Sequence, residues 1–118
     1  MKKVILDTNF LIDIFRFKVS LDKIFEEIGN VKFVVPEFVI IELKNLSSFN
    51  PYVKLAFDFI KKNKIKIIKT KKKGDMGFFE ILDNDSIVAT NDSKLRKKLK
   101  ALGIKSIYLR KRKKLEIG

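Results

Sequence analysis

Apolar residues run through this chain in two rhythms. Residues 4–6 (VIL), 33–35 (FVV) and 87–89 (IVA) are unbroken apolar triplets. Strands buried on both faces of a parallel sheet read this way, whereas half-exposed strands alternate. Between the triplets the spacing becomes helical. Residues 9–15 are apolar with helical character, and Leu21, Ile24, Phe25 and Ile28 form one stripe that stops at Gly29-Asn30. Pro36 suits the first turn of a helix reaching about Leu46. After a break at 47–50, Pro51 opens another, with Val53, Leu55, Ala56, Phe59 and Ile60 as its apolar positions. KIKIIKT (64–70) alternates like a strand at a sheet edge, and KKKGD is a loop. Residues 75–82 predict a short helix weakened by Gly77, residues 86–90 a strand, and residues 93–102 a helix closed by Gly103. SIYL (106–109) reads as the last strand, and 110–118 as a basic tail.

Strands therefore alternate with helices from end to end, with no repeat and no linker. That order predicts one α/β domain over residues 1–118, its parallel sheet covered on both faces. In such sheets the working surface lies beyond the carboxyl ends of the strands, where strand order reverses.

Composition narrows the chemistry. A chain of 118 residues with 46% hydrophobic content can bury one core. No apolar run approaches the roughly 20 residues of a membrane span. MKKVILDTNF starts like a signal peptide, but Asp7 ends the apolar run after three residues, so the chain reads as cytoplasmic. Cysteine and histidine are both absent. That excludes thiolate and imidazole zinc sites, a cysteine nucleophile and any triad with a histidine base. A metal, if used, must be held by oxygen, which suits Mg²⁺ or Mn²⁺.

Basic residues number 27 against 14 acids, a net charge of +13. Only four of the cations are arginine. Such a surplus points to an anionic partner, most often nucleic acid, and lysine grips phosphates more than it reads base edges. A Lys- and Ile-rich composition of genomic or thermal origin is the plain alternative.

Against that background the acids stand out. Asp7 follows VIL, and Asp92 follows IVATN, so both fall at carboxyl ends of buried strands. Each seam, VILDTN and IVATND, leads into a helix, and Asp is a preferred helix cap. Thr8, Asn9, Asn91 and Ser93 can also satisfy backbone N–H groups there. Two matched seams argue for more than capping. Glu42 lies within EFVIIELKNL, so its apolar neighbours predict a carboxylate at the edge of burial. Such a charge needs a partner, either a cation or a proton. Asp75 opens the short helix, where the helix dipole alone favours an acid. Asp83 and Asp85 compete with it, although DND is an ordinary turn. Asp13, Asp22, Glu26, Glu27, Asp58 and Glu80 read as solvated.

Together, VILDTNFLID, VPEFVIIEL and IVATNDSKLRKKLKALGIKSIYL resemble the motifs of the PIN-domain nucleases, over nearly the whole chain. The resemblance implies a three-layer α/β/α sandwich with a central parallel sheet and a pocket of acids. It matches the family's acids to Asp7, Glu42 and Asp92, with Thr8, Asn9, Thr90 and Asn91 around them, and Asp75 loosely to the third acid. The family usually has a longer, Ala-rich helix at that third position. The resemblance also implies Mg²⁺ or Mn²⁺ held by these acids and endonucleolytic cleavage of single-stranded RNA, as in VapC-type toxins or ribosomal-RNA-processing enzymes. Homodimerisation and, for a toxin, an antitoxin partner follow from it as well. Lys94, Arg96, Lys97 and Lys98 follow Asp92 and are placed to hold flanking phosphates, with the tail extending that grip. A non-catalytic RNA-binding member, such as a ribosome assembly factor, is the alternative. A receiver domain is disfavoured because KIKIIKT ends without a phosphoacceptor Asp, and a haloacid-dehalogenase phosphatase because DTNF lacks that family's second Asp.

Overall fold

The computed structural model describes residues 1–118. β1 (Lys2–Leu6) passes directly into α1 (Thr8–Arg16), and α2 (Asp22–Ile28) leads to β2 (Val31–Pro36). α3 (Glu37–Leu46) and α4 (Tyr52–Lys62) precede β3 (Lys66–Ile68). Then come α5 (Gly74–Glu80), β4 (Ser86–Ala89), α6 (Ser93–Ala101), β5 (Ser106–Arg110) and β6 (Lys114–Ile117). The six strands form one sheet in the order β3-β2-β1-β4-β5-β6. The first five run parallel and β6 is antiparallel to β5. With helices on both faces this is the three-layer α/β/α sandwich the strand–helix alternation predicts.

The apolar triplets occupy the centre. Val4, Ile5, Leu6, Val35, Val88 and Ala89 are fully buried within a core of 26 apolar residues. β1 and β4 pair with Leu6 beside Ala89. From β1 the chain builds outward through β2 to β3; from β4 it builds the other way to β5 and β6. The reversal therefore falls between β1 and β4, the two strands followed by Asp7 and Asp92.

Two features differ from the sequence reading. Residues 110–118 are not a free tail. They turn at residues 111–113 and return as β6, whose Leu115 is buried and whose neighbour Gly118 exchanges backbone hydrogen bonds of 2.9 and 3.2 Å with Ser106. The period-two pair Leu115 and Ile117 packs on the core, while Lys114 before them is exposed and Glu116 between them is half-buried. Gly77, expected to weaken its helix, is a packing requirement. A Cβ there would sit 2.6 Å from the Lys72 carbonyl oxygen and 3.1 Å from the Phe38 ring. Only glycine lets α5 dock this closely, with Phe78 against Phe38 at 5.1 Å between ring centroids.

Candidate active site

The Asp7 seam is built from backbone upward. The Asp7 N–H donates to the Ala89 carbonyl at 3.0 Å, extending the sheet one residue past β1. Its side chain then caps α1, accepting the Thr8 N–H at Oδ1 (2.7 Å), while Oδ2 accepts the Thr90 hydroxyl (2.7 Å). Thr90 is fully buried. Its Oγ1 also accepts the Asp92 N–H at 3.1 Å, so one hydroxyl ties the two seams together. Asp92 in turn caps α6 through Oδ1, which accepts from the N–H groups of Lys94 (2.9 Å) and Leu95 (3.3 Å). Capping and a place at the sheet reversal are thus both true of these two aspartates. For each, the helix N-terminus favours the negative charge.

Glu42 differs from expectation. The apolar run around it predicted partial burial, yet the residue is exposed. Phe38, Val39, Ile40 and Leu43 take the buried side of α3, and Ile41, Glu42, Lys44 and Asn45 face outward. A mixed run cannot fix the phase of a helix when four apolar residues precede the acid. The partner of Glu42 is the buried Thr8, whose hydroxyl donates to Oε1 at 2.6 Å. Thr8 and Thr90 therefore each hold one carboxylate of the rim.

Asp7, Glu42, Asp75 and Asp92 line one hollow of about 410 Å³, with Thr8, Asn9, Asn45 and Phe78 among its other walls. Asn45 was not singled out from the sequence, although it follows Glu42 by one helical turn. A hollow of similar volume, about 440 Å³, lies at the opposite rim between Lys2, Asn84, Gly103 and Lys105, but it contains only one acid, Glu27. Chemistry, not size, distinguishes the two.

The carboxylates of the rim feel one another. Asp7 has a pKa raised above its ordinary value of 3.8, first by burial and then by the negative charges of Glu42 and Asp92; the Thr90 and Thr8 hydrogen bonds oppose the rise. Asp75 stands apart, its Oδ2 held by Lys98 Nζ at 2.9 Å. No three acids converge closely enough in this arrangement to enclose an ion. Asp92 is committed at Oδ1 to its helix and Asp75 to its lysine. The donor set is nevertheless all carboxylate oxygen around one negatively charged recess, and that suits a hard divalent cation.

The remaining residues sort cleanly. Asp83 and Asp85 lie before β4, at the far rim. Lys3 Nζ bonds Asp83 at 2.9 Å and Lys2 approaches Asp85 at 4.0 Å, so neither can serve as the third acid of this hollow. The Lys3 bond, first among its contacts, holds the Asp83 carboxyl below its ordinary value. Asn91 does not cap a helix. Its Oδ1 accepts the Leu109 N–H and its Nδ2 donates to Asp13 Oδ2, both at 2.9 Å, clamping α1 to β5 beside the site. Asp13 is half-buried by that contact, not solvated as expected. Asn9 lines the hollow. On α6, Lys94 and Lys97 are exposed and make no ion pair, Lys98 is paired with Asp75, and the Arg96 guanidinium stacks 3.8 Å above the Tyr108 ring.

With this geometry in view, comparison with known proteins is informative. A family model described as a PIN-like domain matches residues 4–112. The chain belongs to the PIN-like domain family. Among solved structures it is similar to one described as the PIN domain endonuclease Utp24, with a TM-score of 0.78 and 21% identity over 98% of this chain and 90% of that one. It is also similar to a domain of a functionally unknown protein from Methanocaldococcus jannaschii DSM 2661, with a TM-score of 0.56 and 20% identity over 93% and 92% of the two chains. At these identities the likeness speaks for the fold. No curated protein matches the sequence. The PIN-like assignment accords with the strand order and with the reversal between β1 and β4. No helix is long and apolar enough to cross a membrane.

Proposed function

We propose that this PIN-like protein is a metal-dependent endoribonuclease that cleaves single-stranded RNA at the hollow between β1 and β4. The observation that carries the reading is that Asp7, Glu42, Asp75 and Asp92 line one hollow at the sheet reversal, where burial first, and then the charges of Glu42 and Asp92, raise the Asp7 pKa and a divalent cation would neutralise the recess. Asp7, Glu42 and Asp92 are the residues to hold Mg²⁺ or Mn²⁺, with Asp75 joining if Lys98 releases it. Such a cation supplies charge neutralisation at the scissile phosphate and makes water a better nucleophile at neutral pH. The chain's own part is positional. Thr90 and Thr8 fix the Asp7 and Glu42 carboxylates, and Asn91 holds the rim rigid. Glu42 Oε2, free of hydrogen bonds within the chain, is placed to take the proton of the attacking water as the P–O bond to the leaving ribose oxygen breaks. Lys94 and Lys97 hold flanking phosphates. Supporting the assignment, a PIN domain endonuclease shares the fold.

The test is Mn²⁺-dependent cleavage of an unstructured RNA by the unsubstituted chain and by Glu42→Gln and Asp92→Asn. Loss of turnover by a hundredfold or more in both variants, with melting temperatures preserved, supports the reading; unchanged turnover removes these acids from the mechanism. A second reading, a non-catalytic RNA-binding module, draws on the Asp75–Lys98 pair and the absence of three converging acids. It predicts RNA affinity indifferent to Mn²⁺ and no cleavage. A toxin with an antitoxin partner and an RNA-maturation enzyme share this chemistry, and a small antitoxin-like reading frame beside the gene would favour the first. Homodimerisation is checked by sedimentation.

A further inference from the structure

The β5–β6 hairpin carries five consecutive cations, Arg110 to Lys114, and none of them forms an ion pair. Its turn is unusual. The Lys113 N–H donates to the Arg110 carbonyl at 3.2 Å, and both central residues have positive φ, 53° at Lys111 and 59° at Arg112. Arg110 pairs with Lys114, so the connection has three residues, and its first two occupy the left-handed region, which favours Asn and Gly over L-residues with long side chains. Two strained long cations at the tip are a poor choice for the hairpin as a hairpin. Such strain, when retained, points to a use for the side chains.

The tip's position suggests the use. β5 runs parallel to β4, so its carboxyl end lies at the same rim as Asp7 and Asp92. Arg112 reaches the Phe17 ring at the end of α1, where Arg16 also sits; the guanidinium carbons lie 5.7 and 5.1 Å from the ring centroid. Two guanidiniums lie against one aromatic ring, and neither forms an ion pair. A polyanion would relieve their repulsion and pair with the cations beside them.

We infer that the strained Lys111-Arg112 tip, with Arg16 and Phe17, is an RNA-backbone clamp that holds single-stranded RNA to one side of the acidic hollow. The clamp rests on the nuclease or RNA-binding reading for its ligand, but binding alone tests it. Fluorescence anisotropy of a labelled oligouridylate in EDTA, where a metal-dependent nuclease cannot cut, gives affinity and its salt dependence. Lys111→Asn/Arg112→Gly should weaken affinity about tenfold and lower the log–log salt slope by about 1.4, two single-strand phosphate contacts. It should also raise the melting temperature by a few degrees, since the turn now has its preferred residues. Lys111→Gln/Arg112→Gln should weaken binding equally without that rise. Lys61→Gln/Lys62→Gln, the same charge change at the end of α4 on the far rim, should leave binding within twofold.

Equal losses for the hairpin and α4 pairs mean diffuse attraction and overturn the clamp. So does undetectable RNA binding by the unsubstituted chain, or a hairpin defect seen only with phosphatidylserine vesicles. Failure to cleave RNA in Mn²⁺, with the hairpin-specific binding loss intact, sinks the nuclease reading and leaves the clamp standing.

Discussion

Thr90→Val isolates the hydroxyl that joins the two acidic seams. Valine has nearly the same shape, so the buried site is neither emptied nor crowded. Two hydrogen bonds disappear: the 2.7 Å bond donated to Asp7 Oδ2 and the 3.1 Å bond accepted from the Asp92 N–H. A bond to a charged group contributes about 1.5–3 kcal/mol and a neutral one about 0.5–1.5 kcal/mol. Burying a methyl in place of a hydroxyl returns about 1 kcal/mol. The net loss is about 2 kcal/mol, or about 8 °C in melting temperature for a domain of this size. The loss should depend on pH. The Thr90 bond favours ionised Asp7, so removing it raises further a pKa that burial, Glu42 and Asp92 already raise. Between the ordinary value of 3.8 and the raised value, the folded chain holds a proton that the unfolded chain has released. Stability falls with rising pH across that window, and the variant widens it. Thermal unfolding followed by circular dichroism in EDTA should therefore show the full deficit at about pH 8 and a smaller one at about pH 4. Thr90→Ser, which keeps the hydroxyl, should lose only about 1 kcal/mol through its missing methyl. Equal melting of Thr90→Val and the parent at pH 8, or a deficit that ignores pH, would refute the coupling.

Asp7→Asn should abolish RNA cleavage yet raise the melting temperature by a few degrees at pH 8. The neutral amide escapes the burial and repulsion that disfavour the ionised carboxylate, and the gain should shrink through the window above pH 3.8 and vanish well below it, where Asp7 is protonated in both the folded and the unfolded parent chain. Gly77→Ala puts a Cβ 2.6 Å from the Lys72 oxygen; overpacking of about 1–3 kcal/mol exceeds the roughly 1 kcal/mol gain in helix propensity, so a net loss near 1 kcal/mol is expected in chemical denaturation. Asn91→Ala removes both halves of the α1–β5 clamp, and the Leu109 amide should exchange with deuterium at least tenfold faster while amides in β2 are unaffected.

Much of the architecture was legible because it is written in local patterns. Three apolar triplets marked the three central strands, and prolines and glycines marked the helix boundaries. Asp7 and Asp92 could be placed at strand ends for the same reason. What lay outside reach depended on contacts between distant positions. Thr90 and Asp7 are 83 residues apart, Asn91 and Asp13 are 78 apart, and Lys98 and Asp75 are 23 apart. No periodicity announces such pairs. The Glu42 misreading is different: its helix was recognised, but its rotational phase was not. β6 was missed because a block of cations drowned a two-residue alternation in the last few positions.

That last strand has a consequence for how molecules of this protein meet one another. Without it, β5 would present open peptide groups to any extended segment nearby, and a sheet of this kind could grow by adding strands from other chains. β6 fills those positions from within the same molecule. At the opposite border β3 is only three residues long and is bracketed by Lys66 and Lys69, which makes a charged and abbreviated landing strip. β6 becomes the border in place of β5, but it is only four residues long and starts at Lys114, so both borders are short and carry lysine; deleting β6 would expose the longer β5 and should make self-association through strand pairing easier.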